Sequence, residues 1–270
     1  MLGGAVLWEK DGHLGYITLN RPERLNAMNN EVLEGIAEAL QVATTDDDVR
    51  VIIFRGAGRA FSAGFDLSPN AEEIGQHRDT VDDRNRLQAN TDLWLKIWDC
   101  PKPVIAQVHG YCLAGATQLC VFTDITVVAD EAIVGFPMIP VGGGYISPMW
   151  SWLVGPKRAK QMSFMPGSQI SGKQAEDWGF ANMSVPAADL ERTVKEMAEK
   201  IATVPAKILQ IKKAAVNRTM DVQGFRTAVT FGAEYDALLH SSEPVEKLAG
   251  MIRKHGLKGA IAAFNAGENE

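Results

Sequence analysis

The stretch PKPVIAQVHGYCLAG, Pro101–Gly115, decides the fold class that the sequence predicts. Its segment Val104–Val108 is an apolar run rich in β-branched residues, which is the pattern of a strand covered on both faces. A glycine-containing turn follows, and Ala114–Phe122 then predicts a short helix. A buried strand that passes through a tight turn into a helix is a building unit of α/β folds.

The same pattern recurs on both sides of this stretch and extends the α/β prediction along the chain. Further buried strands are predicted at Val49–Phe54, Ile125–Ala129 and Ala132–Phe136. Near the N-terminus, Val6–Glu9 and Tyr16–Leu19 flank a polar turn and predict a β-hairpin. A helix is expected to begin near Glu31, with Asn30 as its cap.

The chain divides into a strand-rich region, residues 1–185, and a helical region, residues 186–270. The helical blocks are Ala187–Thr203, Ala206–Thr219, Val222–His240 and Pro244–Lys254. Their amphipathic pattern predicts docking on the same chain's core or on another subunit. The polar segment Ser68–Asn90 is interpreted either as a mobile flap or as a solvated insertion without a role, and it leads into a predicted helix, Arg86–Trp98.

Composition excludes several classes of protein. The 270 residues are 46% hydrophobic and 22% charged, with a net charge of −6, which disfavours wholesale disorder and a general nucleic-acid or anionic-membrane binder. Two long uncharged runs, Pro103–Thr123 and Ala132–Pro156, are interpreted as buried core, since prolines, glycines and polar residues interrupt them.

The three cysteines, an odd number without a CxxC motif, suit a reducing compartment. The N-terminal residues also lack the features of a secretory signal, so a cytoplasmic location is expected. No His or Cys spacing predicts a metal site.

Three turns carry the chemistry that the residues themselves suggest. They are Phe61–Leu67, His109–Ala116 and Gly135–Met138. Small residues on tight turns allow backbone N–H groups to point into a cavity. The Gly115 N–H would lie in the first turn of a helix, where donors are unpaired, and Ala63 would supply a second donor. On composition alone, tight turns between buried elements remain the simpler interpretation.

The sequence also resembles the crotonase, or enoyl-CoA hydratase/isomerase, superfamily along nearly the whole chain. The matching segments are LNRPERLNAMN (Leu19–Asn29), FSAGFDL (Phe61–Leu67), Pro101–Gly115, LVGPKRAKQM (Leu153–Met162) and Ile170–Gly179. The resemblance implies a spiral of ββα turns containing an acyl-CoA site, followed by a helical trimerisation region. It further implies a homotrimer or a dimer of trimers, with coenzyme A as part of the substrate and no separate cofactor.

The resemblance assigns roles to individual residues. The backbone amides of Ala63 and Gly115 would hold the thioester carbonyl. The loop of Arg24 and Leu25 and the loop containing Ser62, Asp66 and Leu67 would line the coenzyme A channel. Phe264 would reach a neighbouring subunit's nucleotide site.

Two departures from the family pattern bear on the reaction. Where family hydratases carry two glutamates, this sequence has Gln118 and Met138. An amide or a thioether is not a useful proton acceptor near neutral pH. No acidic residue occurs from Ala132 to Gly155, so a shifted alignment within this stretch restores no glutamate.

Other side chains are candidates for the missing chemistry, each with a plainer interpretation. Tyr145 can donate a proton to an enolate or hold a carboxylate, or it can simply pack on the glycine turn. Gln118 can position water or a carbonyl, or it can bond backbone. His109 is expected to support its turn, and His77 would reach the site only if the flap closes.

Three functions stay open at this point. The first is an acyl-CoA enzyme that stabilises a thioester enolate or oxyanion in a reaction other than efficient enoyl-CoA hydration. The second is a hydratase or isomerase with residual or non-standard acid–base groups. The third is a catalytically silent acyl-CoA-binding subunit.

Overall fold

The computed structural model of the protein describes residues 4–67, 79–136, 138–142 and 146–267. Its strands are β1 (Val6–Asp11), β2 (Leu14–Leu19), β3 (Val51–Gly56), β4 (Val104–Val108), β5 (Tyr111–Leu113), β6 (Ile125–Ala129), β7 (Ile133–Gly135), β8 (Gln169–Ser171) and β9 (Met183–Val185). Its helices are α1 (Asn30–Thr45), α2 (Thr80–Asp99), α3 (Gly115–Phe122), α4 (Ile146–Phe164), α5 (Gly172–Trp178), α6 (Ala187–Ala202), α7 (Ala206–Val222), α8 (Phe225–His240) and α9 (Glu243–Asn265).

Two sheets organise the α/β core. The larger has the strand order β1-β2-β3-β4-β6-β9, and all of its pairs are parallel except the β1–β2 hairpin. The smaller has the order β5-β7-β8, with β5 parallel to β7 and β8 antiparallel to β7. The chain passes from β4 in the large sheet to β5 in the small one within the segment Pro101–Gly115, and α3 follows directly after β5.

The core is apolar on both faces of the central strands, as expected for a parallel sheet. Residues 51–54 of β3 and 104–108 of β4 are buried throughout. Helices α1 and α6 each bury one face against the larger sheet. Helix α8 packs on α2 and α4, where Trp98 stacks on Phe225 with ring centroids 4.4 Å apart. The predicted docking of helices on the chain's own core is therefore confirmed.

Several predicted elements are confirmed and several boundaries are corrected. The hairpin and the strands at Val104–Val108 and Ile125–Ala129 occur as predicted. Asn29, rather than Asn30, caps α1, because its side chain accepts from the Val32 N–H at 3.1 Å.

Helix α2 begins earlier than predicted. It starts at Thr80, where Asp79 accepts from the Val81 N–H at 2.9 Å, so residues 80–90 are not a flap. The remainder of that expected flap, residues 68–78 including His77, lies outside the described residues.

Helix α4 was not predicted because its region is rich in glycine and proline. Gly155 has φ 77° and ψ 165°, which breaks the helix, and Pro156 then occupies the start of the second half, where a missing N–H is tolerated. Helix α5 was also missed, although Ser171 and Gln174 form a capping box that the sequence displays. Among the described residues, no helix combines the length and apolar character needed to cross a membrane.

Candidate active site

Two of the turns singled out in the sequence lie against each other. Ser62 pairs with Cys112 in a short parallel bridge, with Ser62 N–H donating to the Tyr111 carbonyl at 2.9 Å and Leu113 N–H to the Ser62 carbonyl at 3.1 Å. A Cβ built on Gly64 would lie 2.6 Å from the Leu113 carbonyl oxygen and 3.0 Å from the Gly115 nitrogen. Only glycine therefore allows the two backbones to come this close.

Ala63 does not have the role that the sequence predicted. Its N–H donates to the Leu25 carbonyl at 2.9 Å, so this donor is already used to hold the Arg24–Leu25 loop. An N–H that is committed to a backbone acceptor is not available to a bound carbonyl. This corrects the assignment of Ala63 as an oxyanion donor.

Phe65 supplies the available N–H of this loop instead. Its neighbours bond to Met28, through Met28 N–H to Gly64 O at 2.8 Å and Asp66 N–H to Met28 O at 2.9 Å. In a parallel bridge of this kind, the N–H of the central residue points away from the partner segment. Within the described part of the chain, no acceptor lies within hydrogen-bond distance of the Phe65 N–H.

The second turn presents Gly115 at the N-terminus of α3. Ala114 before it has φ 48° and ψ −119°, a conformation that favours glycine and that side chains rarely adopt. The Ala114 N–H donates to the Gly135 carbonyl at 2.8 Å, which fixes the turn. Gly115 then begins the helix, its N–H has no partner among the described residues, and the helix dipole favours negative charge there.

Gln118 lies one turn into α3 and is 1% exposed. Its Oε1 accepts a hydrogen bond from the Trp94 indole N–H at 3.0 Å. The neighbouring residue Thr117 accepts from the Trp150 indole N–H at 2.9 Å. Two buried tryptophans thus hold consecutive side chains of the helix that carries Gly115. The sequence does not reveal the hydrogen bond between Trp94 and Gln118, since a contact between residues 94 and 118 leaves no local signal.

The predicted coenzyme A loops are joined by polar contacts. Arg24 is exposed, and Leu25 and Asn26 both have the left-handed conformation, with φ 52° and 55°. The buried Asn26 side chain donates to the carbonyls of Ala57 and Ala60 at 2.9 and 2.8 Å, and Ser62 Oγ donates to the Asn26 carbonyl at 2.8 Å. Ser62 therefore holds the loops together from a fully buried position, and Leu67 is half-buried at the end of its loop.

Met138 is the residue that the sequence predicts where family hydratases carry their second glutamate. Met138 is 36% exposed, and its sulfur lies against Gly167, where an added Cβ would meet it at 2.0 Å. Tyr145, proposed as an alternative proton donor, lies outside the described residues.

Ionisable side chains from two helices nevertheless approach this loop. A Cβ on Gly142 would lie 3.4 Å from both Asp236 Oδ1 and His240 Nε2. His240 Nδ1 lies 2.6 Å from Asp83 Oδ2, and Arg86 Nη2 lies 2.7 Å from Asp83 Oδ1. Asp83 lies on α2, whereas Asp236 and His240 lie on α8. Only the tertiary structure brings them together at the glycine loop, and no sequence motif indicates this.

The charges in this cluster support one another. Burial alone would raise the pKa of Asp83, but hydrogen bonds from His240 and Arg86 outweigh burial and lower that pKa to about 2. Burial alone would lower the pKa of His240, but the hydrogen bond to Asp83 and the charge of Asp236 hold it above its ordinary value. The ionised form of Asp83 and the protonated form of His240 therefore stabilise each other.

Two further candidates occupy structural positions. His109 Nε2 lies 2.9 Å from the Gly58 carbonyl, consistent with its expected support of the turn. Phe264 packs into a small apolar cluster of its own chain with Ile139, Leu248 and Ile252. Its predicted contact with a neighbouring subunit stays a prediction.

Together these features define the class of protein: a crotonase-fold chain in which the turn at Gly64 lies against the turn that leads into α3. The chain belongs to the enoyl-CoA hydratase/isomerase family, whose model matches residues 9–251. This is a family of acyl-CoA-processing enzymes, and the resemblance noted in the sequence is thereby confirmed at the family level.

Individual relatives agree with this membership. The chain is 29% identical over 261 residues to the short-chain-enoyl-CoA hydratase of Clostridium acetobutylicum, covering 94% of this chain and 97% of the relative. It is 34% identical over 218 residues to the 1,2-epoxyphenylacetyl-CoA isomerase of Escherichia coli K12, covering 77% and 81%. A crystal structure of an enoyl-CoA hydratase/isomerase from Xanthobacter autotrophicus Py2 superposes with a TM-score of 0.91 at 33% identity, covering 97% and 98%.

Proposed function

We propose that this protein is an acyl-CoA enzyme in which the N–H groups of Phe65 and Gly115 polarise the thioester carbonyl and stabilise an enolate or tetrahedral oxyanion. The observation that carries the proposal is the contact between two turns in which the N–H groups of Phe65 and Gly115 have no acceptor among the described residues. Preorganised donors of this type are worth about 2.7–4 kcal/mol each in a transition state.

The proposed reaction is one other than efficient hydration of a simple enoyl-CoA. Hydration needs a group that takes a proton from water, and neither the Gln118 amide nor the Met138 thioether does so. General acid–base assistance contributes about 10²–10⁴-fold per group. Isomerisation, decarboxylation, carbon–carbon cleavage and thioester hydrolysis can each use the same pair of backbone donors.

One observation favours a second candidate, a hydratase or isomerase with non-standard acid–base groups. Asp83, Asp236 and His240 meet beside Gly142, on the loop where the family glutamate is absent. The two relatives described above, one a hydratase and one an isomerase, favour the same candidate.

The coenzyme A part of the substrate is proposed to run past Arg24, Leu25 and Leu67. Arg24 is an exposed cation suited to a phosphate, while Leu25 and Leu67 are half-buried. No cofactor beyond the substrate's own coenzyme A is proposed.

The helical region is proposed to build a homotrimer or a dimer of trimers. Large apolar side chains are exposed along α7 and α8, among them Ile211 at 68%, Val222 at 80% and Leu238 at 62%. Such a surface is more typical of an interface than of a solvated helix. Light scattering after gel filtration tests this directly, and a monomer at micromolar concentration contradicts it.

Two assays test the proposed chemistry. Crotonyl-CoA hydration, followed by loss of the conjugated thioester absorbance, should be slow, and robust turnover contradicts the proposal in favour of a hydratase. In that case His240→Gln should lower the rate if the second candidate is right.

A panel of malonyl-type, 3-oxoacyl and 3-enoyl thioesters should then reveal turnover of at least one member. Binding across the panel without turnover would favour a silent binding subunit and contradict the proposal.

A further inference from the structure

We infer that Gln118, oriented by Trp94, presents its amide N–H₂ to the acyl group, so that the site selects acyl-CoA thioesters carrying an sp² oxygen on C3, either a 3-oxoacyl or a malonyl-type group. This inference rests on the proposed function, because it assumes that a thioester carbonyl is bound at Gly115. It adds the substrate class that the backbone donors alone do not specify.

The orientation of the amide follows from its partner. The indole Nε1–H of Trp94 is a donor only, and it lies 3.0 Å from the Gln118 side-chain oxygen. Both side chains are buried, with Trp94 at 0% and Gln118 at 1% exposure, so the contact is shielded from competing water. The oxygen of the amide therefore faces Trp94, and the NH₂ group faces away from it.

The NH₂ group makes no hydrogen bond within the described part of the chain. No described residue accepts a hydrogen bond from Gln118 Nε2, although the residue is almost completely buried. Native structures pair nearly all polar groups in such buried surroundings. An acceptor brought by the ligand would pair this donor, which makes the amide a binding group for the substrate.

The position of Gln118 sets which atom of the ligand it meets. Residues three apart lie on one face of a helix, with Cβ atoms about 5–6 Å apart, and side chains lean toward the helix N-terminus. Gln118 on α3 therefore leans toward Gly115, which has no side chain of its own. With the thioester carbonyl at the Gly115 N–H, an oxygen two carbons further along the acyl chain is the substituent placed to accept from Gln118.

The chemistry of the donor selects the type of oxygen. A keto or carboxylate oxygen on C3 accepts a hydrogen bond and needs no donor in return, which matches an NH₂ group whose amide oxygen is already used. A saturated acyl chain leaves the amide unpaired. A glutamate at this position would offer an acceptor and repel the same oxygen.

Binding measurements on matched thioesters test the inference. Acetoacetyl-CoA, malonyl-CoA and butyryl-CoA are titrated by calorimetry, and each ligand is checked by chromatography to be intact afterwards. At least one of the first two should bind about tenfold more tightly than butyryl-CoA, the gain expected of one additional hydrogen bond. A preference for acetoacetyl-CoA identifies a keto oxygen as the acceptor, and a preference for malonyl-CoA identifies a carboxylate.

The failures are distinguishable. Equal affinity for all three ligands overturns this inference and leaves the proposed function intact. Absence of binding by all three overturns the proposed function together with the inference.

Two tryptophan variants separate the positioning role of Trp94 from a merely structural one. Trp94→Phe keeps an aromatic ring but removes the N–H, so the amide of Gln118 can rotate and the preference should fall by about threefold or more. Trp150→Phe removes an equally buried indole donor from Thr117, the adjacent residue, and should leave the preference unchanged. If Trp94→Phe, Trp150→Phe and the parent protein all prefer the oxygenated thioesters over butyryl-CoA to the same degree, the role of Trp94 is overturned.

Gln118→Glu provides a test that does not depend on a tryptophan substitution. The variant keeps the side-chain length and an oxygen for Trp94, but it presents an acceptor to the ligand. The preference for the oxygenated thioesters should be lost or reversed, and retention of a tenfold preference contradicts the inference.

Discussion

The guanidinium of Arg21 lies 2.9 Å from the carboxylate of Asp66, and this half-buried ion pair joins the two loops that are proposed to hold coenzyme A. Arg21 also donates to the Ala27 carbonyl at 2.6 Å, so one side chain fixes both ends of the first loop to the second. Asp66 was predicted as a substrate-binding residue, and its contact with Arg21 indicates that it acts by holding the loop.

Asp66→Asn should weaken both the fold and the site. Loss of the charge removes the charged partner of Arg21, and a hydrogen bond between charged groups contributes about 1.5–3 kcal/mol. We expect the free energy of unfolding in urea to fall by about that amount, with a parallel loss of thioester affinity. The control is Asp11→Asn, which breaks the exposed Lys195–Asp11 pair and should change stability by less than about 0.5 kcal/mol.

Gly115→Pro should abolish the polarisation of the thioester carbonyl. Proline is tolerated in the first turn of a helix but has no N–H to donate. The matched variant Gly115→Ala keeps the N–H, although its Cβ would lie 2.7 Å from the Phe65 ring. The measurement is the absorption of bound cinnamoyl-CoA, which shifts to longer wavelength when its carbonyl is polarised.

The parent protein should show this shift, Gly115→Ala should retain part of it, and Gly115→Pro should show none. On any thioester that is turned over, the proline variant should lose about 10²–10³-fold in rate. An unchanged shift in Gly115→Pro would remove this residue from the proposed site.

Ala114→Gly should stabilise the protein. Ala114 is held at φ 48° and ψ −119°, and such strain costs about 1–3 kcal/mol in a residue with a side chain. Glycine relieves the strain but loses more entropy on folding, so a net gain of about 1 kcal/mol is expected in urea unfolding. Ala116→Gly, two residues further on within α3, should instead destabilise the protein, and equal effects of the two changes would contradict the strain at Ala114.

Stability should depend on pH through His240. Its pKa is raised above the ordinary value of 6.5 by Asp83 and Asp236 against the effects of burial and Arg86, so its contribution is complete below pH 6.5 and is lost as pH rises through the folded-state pKa. The pKa of Asp83 is lowered to about 2 from 3.8, so its contribution is present above pH 3.8 and is lost as pH falls toward 2.

The contact between α2 and α8 should therefore be strongest between about pH 4 and pH 6.5. Thermal unfolding of the parent protein and of His240→Gln should differ by about 2–4 °C at pH 6. This difference in unfolding temperature should shrink at pH 8.5 and above. A difference that stays constant from pH 6 to pH 8.5 contradicts the contribution of the His240–Asp83 ion pair.

Local patterns predicted much of the fold because their causes lie within a few residues. The strands at Val104–Val108 and Ile125–Ala129 are continuous apolar runs, and the helix begins at Gly115 because a tight turn precedes it. Boundaries set by capping contacts were less well predicted, as with Asn29 at the start of α1 and Asp79 at the start of α2.

The site was predicted only in part. The position of Gly115 in the first turn of a helix was predicted from the sequence and is confirmed, and its role as a donor to the thioester stays a proposal. The assignment of Ala63 was wrong, since its N–H is taken by the Leu25 carbonyl and that contact spans two loops far apart in the chain. Phe65, two residues further along, has the available N–H instead. Which of the two is available depends on the side of the parallel bridge that each N–H faces.

The sequence by itself determined the α/β class, the small residues at the two adjoining turns and the absence of carboxylates at residues 118 and 138. The tertiary structure alone decided which backbone donors are available, which way the Gln118 amide points, and that Asp83, Asp236 and His240 meet beside Gly142. The division has a physical reason. Strand and turn preferences arise from neighbouring residues, whereas the direction of a hydrogen bond depends on partners that only folding brings together.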